Sequence, residues 1–504
     1  MIFVQKKTTK LPSFQKLKPT TTYASPEELF YALTRKKSHA YLRGQQQDVL
    51  RAYQNVNSKK DVGFELPTGT GKTAVGLLVA EWKRRTGKRA AYLVLTNQLA
   101  AQGLEEAERL GVSCADLRGT KDERSAVEEG RYSTGEAIGV STYANLFNIK
   151  PVIQPSGIIV FDDAHTGEQI CADMWTVGVT ELRQSELFNS LLTALKPGLT
   201  EAQLNAVVHG SDPTNVQLCD VLGHPECISN VMTLLDETEI GNLWYRWKLI
   251  RHNLAACLFL VGQGEISIRP IIPPTETHKA FADTEQRVYL SATLGDEGDL
   301  QRGYNVGEVH LLRADAPQWG RRYIFVPGLY AEDDSARQLV AEVWDGMSAR
   351  RAVLLAPSDR QMQSEFNLLE AVCSSKPNQM GAADISDSLD PFTSSNDAML
   401  TLAGRYDGLD LPDESCRLLL MSESPAAINA LERHLSTQWK LGPIVKKRER
   451  TRIIQGMGRC TRNAADFSII VWLGQSLINA ATTLVKEMPA ELQAELSWGM
   501  EQSK

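Results

Sequence analysis

The chain has 504 residues, 42% of them hydrophobic, enough for two to four domains with cores of their own. A formal net charge of -7 excludes a general electrostatic attraction for nucleic acid, so binding of that kind must come from a local basic groove. Eight cysteines without a Cys-x-x-Cys pair, and no apolar run long enough to span a bilayer, exclude a disulfide framework and a membrane partner; the expected location is cytoplasmic.

Residues 1–40 read as a basic N-terminal arm and helix. Lys6, Lys7, Lys10, Lys16 and Lys18 precede Ser25 with no acidic residue among them, and Leu29, Phe30 and Leu33 then fall on one face of a helix over 26–37. In the next stretch, Arg43-Gly44-Gln45-Gln46, the Gln46 amide is both donor and acceptor, which suits the edge of adenine. An apolar run at 62–64 leads into Glu65-Leu66-Pro67-Thr68-Gly69-Thr70-Gly71-Lys72-Thr73 and a helix-like run at 74–82. Strand, Gly-rich turn and helix start together make a phosphate cradle. Backbone N–H groups from Thr68, Gly69, Thr70 and Gly71 face the phosphates, Lys72 reaches the β/γ-phosphates, and the Thr73 hydroxyl meets Mg²⁺. ATP and Mg²⁺ are the expected cofactors. Leu66 stands where the general P-loop pattern has glycine, leaving the tighter Pro-Thr-Gly-x-Gly-Lys-Thr form.

Strands at 91–95 and 138–143 alternate with helical patterns, which means a parallel sheet with ligands at its carboxyl edge. Hydroxyls there, on Thr96, Ser141 and Thr142, are candidates for nucleic-acid phosphates. The apolar run at 158–161 delivers Asp162 and Asp163 at its exit: Asp162 for the metal, Asp163 to orient and deprotonate a water, and His165 to couple the site to its neighbours. Residues 166–263 break the alternation and read as a helical insertion, with Leu187, Leu191 and Leu195 at helical spacing. Within it Leu243, Trp247, Ile250 and Leu254 share an apolar face, while Trp244, Lys248 and Arg251 share a face suited to stacking bases and neutralising phosphate. Cys171, Cys219, Cys227 and Cys257 are too widely spaced for a metal site and read as buried thiols. Ser291 and Thr293, ending a strand from 288, are expected to bond the Asp162/His165 loop.

A second domain begins near 317. It has a strand at 352–356, a Ser/Asp/Gly-rich loop at 374–396 expected to be mobile, and a strand at 418–421. Arg452, Gln455, Arg459 and Arg462 fall on one helix face, where guanidinium groups from a facing domain can stabilise charge on a transferring phosphoryl group.

Taken in order, these motifs resemble those of superfamily 2 helicases from Leu42 to Ser503, and the large insertion is similar to the Arch domain of the DinG/XPD-type branch. The resemblance implies an α/β fold with two RecA-like parallel-sheet domains and a helical Arch-like insertion in the first. The boundaries are 41–165 and 264–316 for the first domain, 166–263 for the insertion and 317–504 for the second. It also implies ATP closed between the domains, single-stranded or forked DNA lying across both, 5′-to-3′ movement, and Gly408 and Asp410 among the nucleotide-binding residues. Two departures matter. Only Cys114 lies between Lys72 and Asp162, where this branch often has four cysteines, so no iron–sulfur cluster is expected. Asp163 stands where glutamate is usual, and its shorter side chain is expected to slow hydrolysis. An ATP-gated single-strand clamp that does not separate strands and an RNA substrate remain alternatives, and a partner protein is expected to supply any effector activity.

Overall fold

The computed structural model describes residues 22–36, 40–67, 69–210, 212, 214–238, 241–294, 298–314, 320–330, 333–385, 388–404, 411, 413–425, 429–461 and 466–503. The first domain is built on β1 (Asp61–Glu65), β2 (Ala90–Val94), β3 (Cys114–Asp116), β4 (Ile138–Thr142) and β5 (Ile158–Phe161). Next in the chain come β6 (Val177–Thr180), β7 (Val216–Leu218), β8 (Cys257–Gly262) and β9 (Glu265–Pro270). The first domain resumes with β10 (Arg287–Ser291) and β11 (His310–Arg313). The second domain follows with β12 (Arg321–Phe325), β13 (Arg350–Ala356), β14 (Asn378–Met380), β15 (Asp397–Ala403), β16 (Leu418–Met421) and β17 (Phe467–Trp472).

The first sheet runs β11-β1-β10-β5-β2-β4-β3 and is parallel throughout. Its central strands are short apolar runs because both faces are covered. Val62, Phe64, Tyr92, Val160 and Leu290 pack one face against the helices Gly44–Gln54, Lys72–Arg84 and Asn97–Leu110. Leu29 and Phe30 join that same core, so the Pro26–Ala32 helix belongs to the first domain rather than to a separate arm. Ala91, Leu93, Phe161 and Tyr289 pack the other face. At the amino edge, Arg287 donates two hydrogen bonds of 2.7 Å to Asp61, which also accepts one of 2.9 Å from Tyr289. This buried carboxylate is fully partnered, and removing one side of such a pair typically costs about 3–5 kcal/mol.

The insertion differs from the expected helical unit. β6, β9, β8 and β7 form a four-stranded antiparallel sheet. The boundary at 263 falls inside the β8–β9 hairpin, whose turn uses Gly264 at φ +69°. The reason is legible in retrospect: Ile266 and Ile268 alternate at period two, and both are buried. Phe188, Leu191, Trp247, Phe259 and Ile268 belong to one continuous cluster with Phe161 and Tyr289. The insertion therefore shares most of its core with the first sheet and covers one face of it.

The second sheet, β12-β17-β16-β13-β15-β14, is also parallel. The segment expected to be a mobile loop supplies its edge strand β14 and the short helix Asp390–Thr393. The second domain also meets the insertion. The helix Ala430–Thr437 sets Ala430 and Leu431 against Val216 and Leu260, His434 Nδ1 donates to the Val216 carbonyl at 2.9 Å, and Arg433 pairs with Glu265. On the neighbouring helix Gly442–Met457, Lys447 lies 3.2 Å from Asp299. Among the described residues, no helix is long and apolar enough to cross a membrane.

Candidate active site

The order β1-β10-β5 places three strand exits side by side. Glu65 pairs with Ser291 across β1 and β10, and Leu66 N–H donates to the Ser291 carbonyl at 2.8 Å. The turn after β1 and the acid pair after β5 therefore flank Ser291. Gly69 and Gly71 have φ of +79° and +80°, a region open to glycine at little cost. A Cβ on Gly71 would lie 2.5 Å from the Gln46 amide nitrogen. Thr70 folds the turn on itself, its hydroxyl donating to the Pro67 carbonyl at 2.7 Å. Thr68 lies outside the described residues, as do Gly408, Asp410 and Arg462.

Gln46 takes a different post from the expected one. Its carbonyl accepts from Arg43 N–H at 2.9 Å, its amide donates to the Gly71 carbonyl at 3.4 Å, and it is 7% exposed. The side chain braces the turn rather than presenting a free edge to a base. The Arg43 guanidinium holds the Gly69 carbonyl in the same way.

The Lys72 ammonium sits 3.5 Å from Asp163 Oδ1. Asp162 Oδ2 accepts from the Tyr92 hydroxyl at 2.5 Å, and its Oδ1 accepts from Asp163 N–H at 3.0 Å. Burial, and next the Asp163 charge, push the Asp162 carboxyl up to about 6, against the pull of Lys72. Asp163 has φ +49°, in the left-handed region that Asp tolerates better than most residues. The loop it lies in is gripped from behind: Tyr143 donates to the Asp162 carbonyl at 2.9 Å, and Tyr304 donates to the Ala164 carbonyl at 2.7 Å.

A cavity of about 380 Å³ opens in front of these groups. Gly69, Gly71, Lys72, Thr73, Asp162, Asp163 and Ser291 line it from the first domain, and Gln455, Gly458 and Arg459 from the second. Thr166, rather than His165, reaches its wall. The helix carrying Gln455 ends at Met457, so Arg459 projects from the turn beyond it and not from a shared helix face. Arg452 is turned elsewhere, paired with the buried Glu432 at 2.9 Å. Two further stretches of wall had no sequence signal: Gln102, Glu105, Glu106 and Arg109 of the Asn97–Leu110 helix, and Leu389.

Several residues expected at a nucleic-acid surface are engaged locally. The Thr96 hydroxyl caps its helix by accepting from Leu99 N–H at 3.2 Å. Ser141 is fully buried, donating to the Leu117 carbonyl at 2.7 Å and accepting from Asn145 at 3.0 Å. Thr142, at the end of β4, is 8% exposed. Arg251 lies beyond the Gly241–Ile250 helix and grips Asp236 with bonds of 2.6 and 2.5 Å, so its charge is already neutralised. That pairing, with the Trp247 indole N–H, holds the Asp236 carboxyl well below the usual range. Lys248 stands 5.4 Å from the Trp244 ring centroid, leaving an exposed cation beside a half-exposed aromatic face. The Ser291 hydroxyl accepts from Thr293 N–H at 3.3 Å, in place of the expected bond to the Asp162/His165 loop.

Residues 44–193 match the DEAD/DEAH box helicase family model. No curated protein matches the chain in sequence. Among solved structures, an XPD helicase superposes with a TM-score of 0.55 at 14% identity, over 91% of this chain and 98% of its own. An apo XPD gives 0.54 at 15% identity, over 88% of this chain and 97% of that one. Xpd4 of S. tokodaii gives 0.54 at 13% identity, over 89% and 98%. At such identities the likeness is one of fold.

Proposed function

With a DEAD/DEAH box helicase domain at residues 44–193 and the fold of XPD helicases as premise, we propose that the chain couples ATP hydrolysis to 5′-to-3′ movement along single-stranded DNA. The observation that carries this reading is the single cavity shared by Lys72 and Asp163 of one domain and Gln455 and Arg459 of the other. A site divided in this way is complete only when the domains meet, so nucleotide occupancy and domain position are linked.

Lys72 binds the β/γ-phosphates, Asp163 orients the attacking water and accepts its proton, and Arg459 and Gln455 stabilise charge on the transferring phosphoryl group. The oxygen donors of Thr73 and Asp162, both at the cavity wall, fit a hard cation and would hold Mg²⁺. When bound, the ion neutralises phosphate charge. Lys248 and Trp244 on the insertion remain the best candidates for the strand.

The test is ATP hydrolysis with and without single-stranded DNA or RNA, and strand displacement on forked, 5′-tailed and 3′-tailed duplexes. Stimulation by DNA and displacement of the 5′-tailed duplex are expected. A second reading has support in the sequence: only Cys114 lies between Lys72 and Asp162, where an iron–sulfur cluster would need four cysteines. DNA-stimulated hydrolysis without displacement would mark the chain as an ATP-gated clamp, and stronger stimulation by RNA would change the substrate. Asp163→Glu is expected to raise the hydrolysis rate, because the longer acid reaches further toward the water. An unchanged or lower rate in a steady-state assay would remove that explanation of the aspartate.

A further inference from the structure

The strand β2 is buried along its whole length, Ala90-Ala91-Tyr92-Leu93-Val94, so a hydroxyl at its centre must find a partner or cost about 1–3 kcal/mol. In the parallel register Tyr92 stands opposite Val160 of β5, and both belong to the core on the side of the sheet covered by the Lys72–Arg84 helix. Side chains alternate along a strand, so Asp162, two residues after Val160, returns to that side at the carboxyl edge. The Tyr92 phenol meets it there, donating to Asp162 Oδ2 at 2.5 Å. The Thr73 hydroxyl, from the first turn of the Lys72–Arg84 helix, bonds the same phenol.

Packing holds the ring in place. An added Cβ at Gly76 would lie 2.8 Å from one edge of the Tyr92 ring and 2.6 Å from Leu290, so this interior position of the Lys72–Arg84 helix takes glycine despite a cost of about 1 kcal/mol relative to alanine. Gly103 of the Asn97–Leu110 helix faces the other edge, where a Cβ would make ordinary contact at 3.7 Å. The two bonds also have a direction. A phenol has one proton, and the ionised Asp162 can only accept it. Burial, and next the Asp162 charge, hold the Tyr92 pKa well above its usual value, so the proton stays on the phenol. Thr73 is then the donor to the phenol oxygen. Its proton is directed at Tyr92, and its lone pairs, through which a hydroxyl holds a hard cation, are left free.

We propose that Tyr92 is a positioning residue of the cation site: its hydroxyl joins the two oxygen donors, Thr73 and Asp162, and fixes their orientation toward a shared divalent cation. The inference rests on the functional reading above. Thr73 and Asp162 line the cavity and Tyr92 stands behind them, acting only through these two side chains.

The test is equilibrium binding of a fluorescent, non-hydrolysable ATP analogue by the full chain, titrated with Mg²⁺ and repeated in EDTA, for wild type, Tyr92→Phe and Gly76→Ala. Phenylalanine keeps the ring and removes both hydrogen bonds. It should raise the Mg²⁺ concentration for half-maximal binding by about tenfold, the usual loss when a group that orients a metal ligand is removed, and leave affinity in EDTA within about twofold. Gly76→Ala keeps the hydroxyl, displaces the ring and favours the helix. It should raise the same midpoint, and it decides the matter if Tyr92→Phe does not fold. Wild type whose binding does not respond to Mg²⁺ would overturn the functional reading and this inference with it. A responsive wild type with an unmoved midpoint in Tyr92→Phe would overturn the inference alone. So would an equal loss of affinity with Mg²⁺ and in EDTA, the mark of a distorted phosphate cradle rather than of displaced cation ligands.

Discussion

Lys72→Ala should reduce ATP hydrolysis by about 10²- to 10³-fold, the usual loss when a preorganised charge at a reacting phosphate or oxyanion is removed. The lysine follows Gly71, whose left-handed conformation and contact with Gln46 fix where the helix Lys72–Arg84 begins. Its ammonium is 3.5 Å from Asp163 Oδ1. In the proposed mechanism ATP draws the lysine from the acid to the β/γ-phosphates, which leaves the carboxylate to take a water. Lys72→Ala is expected to weaken nucleotide affinity as well as kcat, because the charge is used in the ground state and in the transition state alike. Fluorescent-nucleotide titration beside a phosphate-release assay separates the two. Strand displacement that persists in the variant would sink the ATP-coupled mechanism.

Arg459→Ala should lower kcat by about 10³-fold while leaving nucleotide affinity nearly intact, as expected for an arginine that serves only the transition state. The position supports that split. Arg459 belongs to the opposite domain from Lys72, in the turn after Met457, where its carbonyl is anchored by Leu411 N–H at 3.0 Å. In the proposed mechanism it meets the phosphate only when the domains are together. Arg459→Lys should recover little, because an ammonium lacks the planar fork that spans two phosphate oxygens. A variant that loses ATP affinity in proportion to kcat would mean that Arg459 binds ground-state nucleotide instead. The same titration and phosphate-release assays decide it.

The parts of this site that a sequence reveals are those whose meaning is local. Gly71-Lys72-Thr73 after one apolar run, and Asp162-Asp163 after another, define their chemistry by neighbours along the chain. The tyrosines are the opposite case. Tyr92 lies inside a fully buried strand and reads as core until the fold brings Asp162, seventy residues on, to its hydroxyl at 2.5 Å. Tyr143 and Tyr304 are hidden in the same way. Arg251 looked like a phosphate contact because helical periodicity says nothing of Asp236, which comes from the preceding helix. Ser141 is buried because exposure at a strand end depends on the loop after the neighbouring strand, here the Leu117 carbonyl just beyond β3 that takes its hydrogen bond. The two parallel sheets were legible from strand-helix alternation. The sheet of the insertion was missed because an apolar stretch such as 258–261 fits a buried helix as well as a strand.

The seam between the helix Ala430–Thr437 and the β7–β8 pair has a mechanical meaning. The second domain meets the rest of the molecule at the wall of the cavity, at the Lys447–Asp299 ion pair and again at this seam, where Leu431 and Leu260 share one cluster and Arg433 pairs with Glu265. In the proposed mechanism this seam acts as a bearing, about which closure of the cavity turns the second domain.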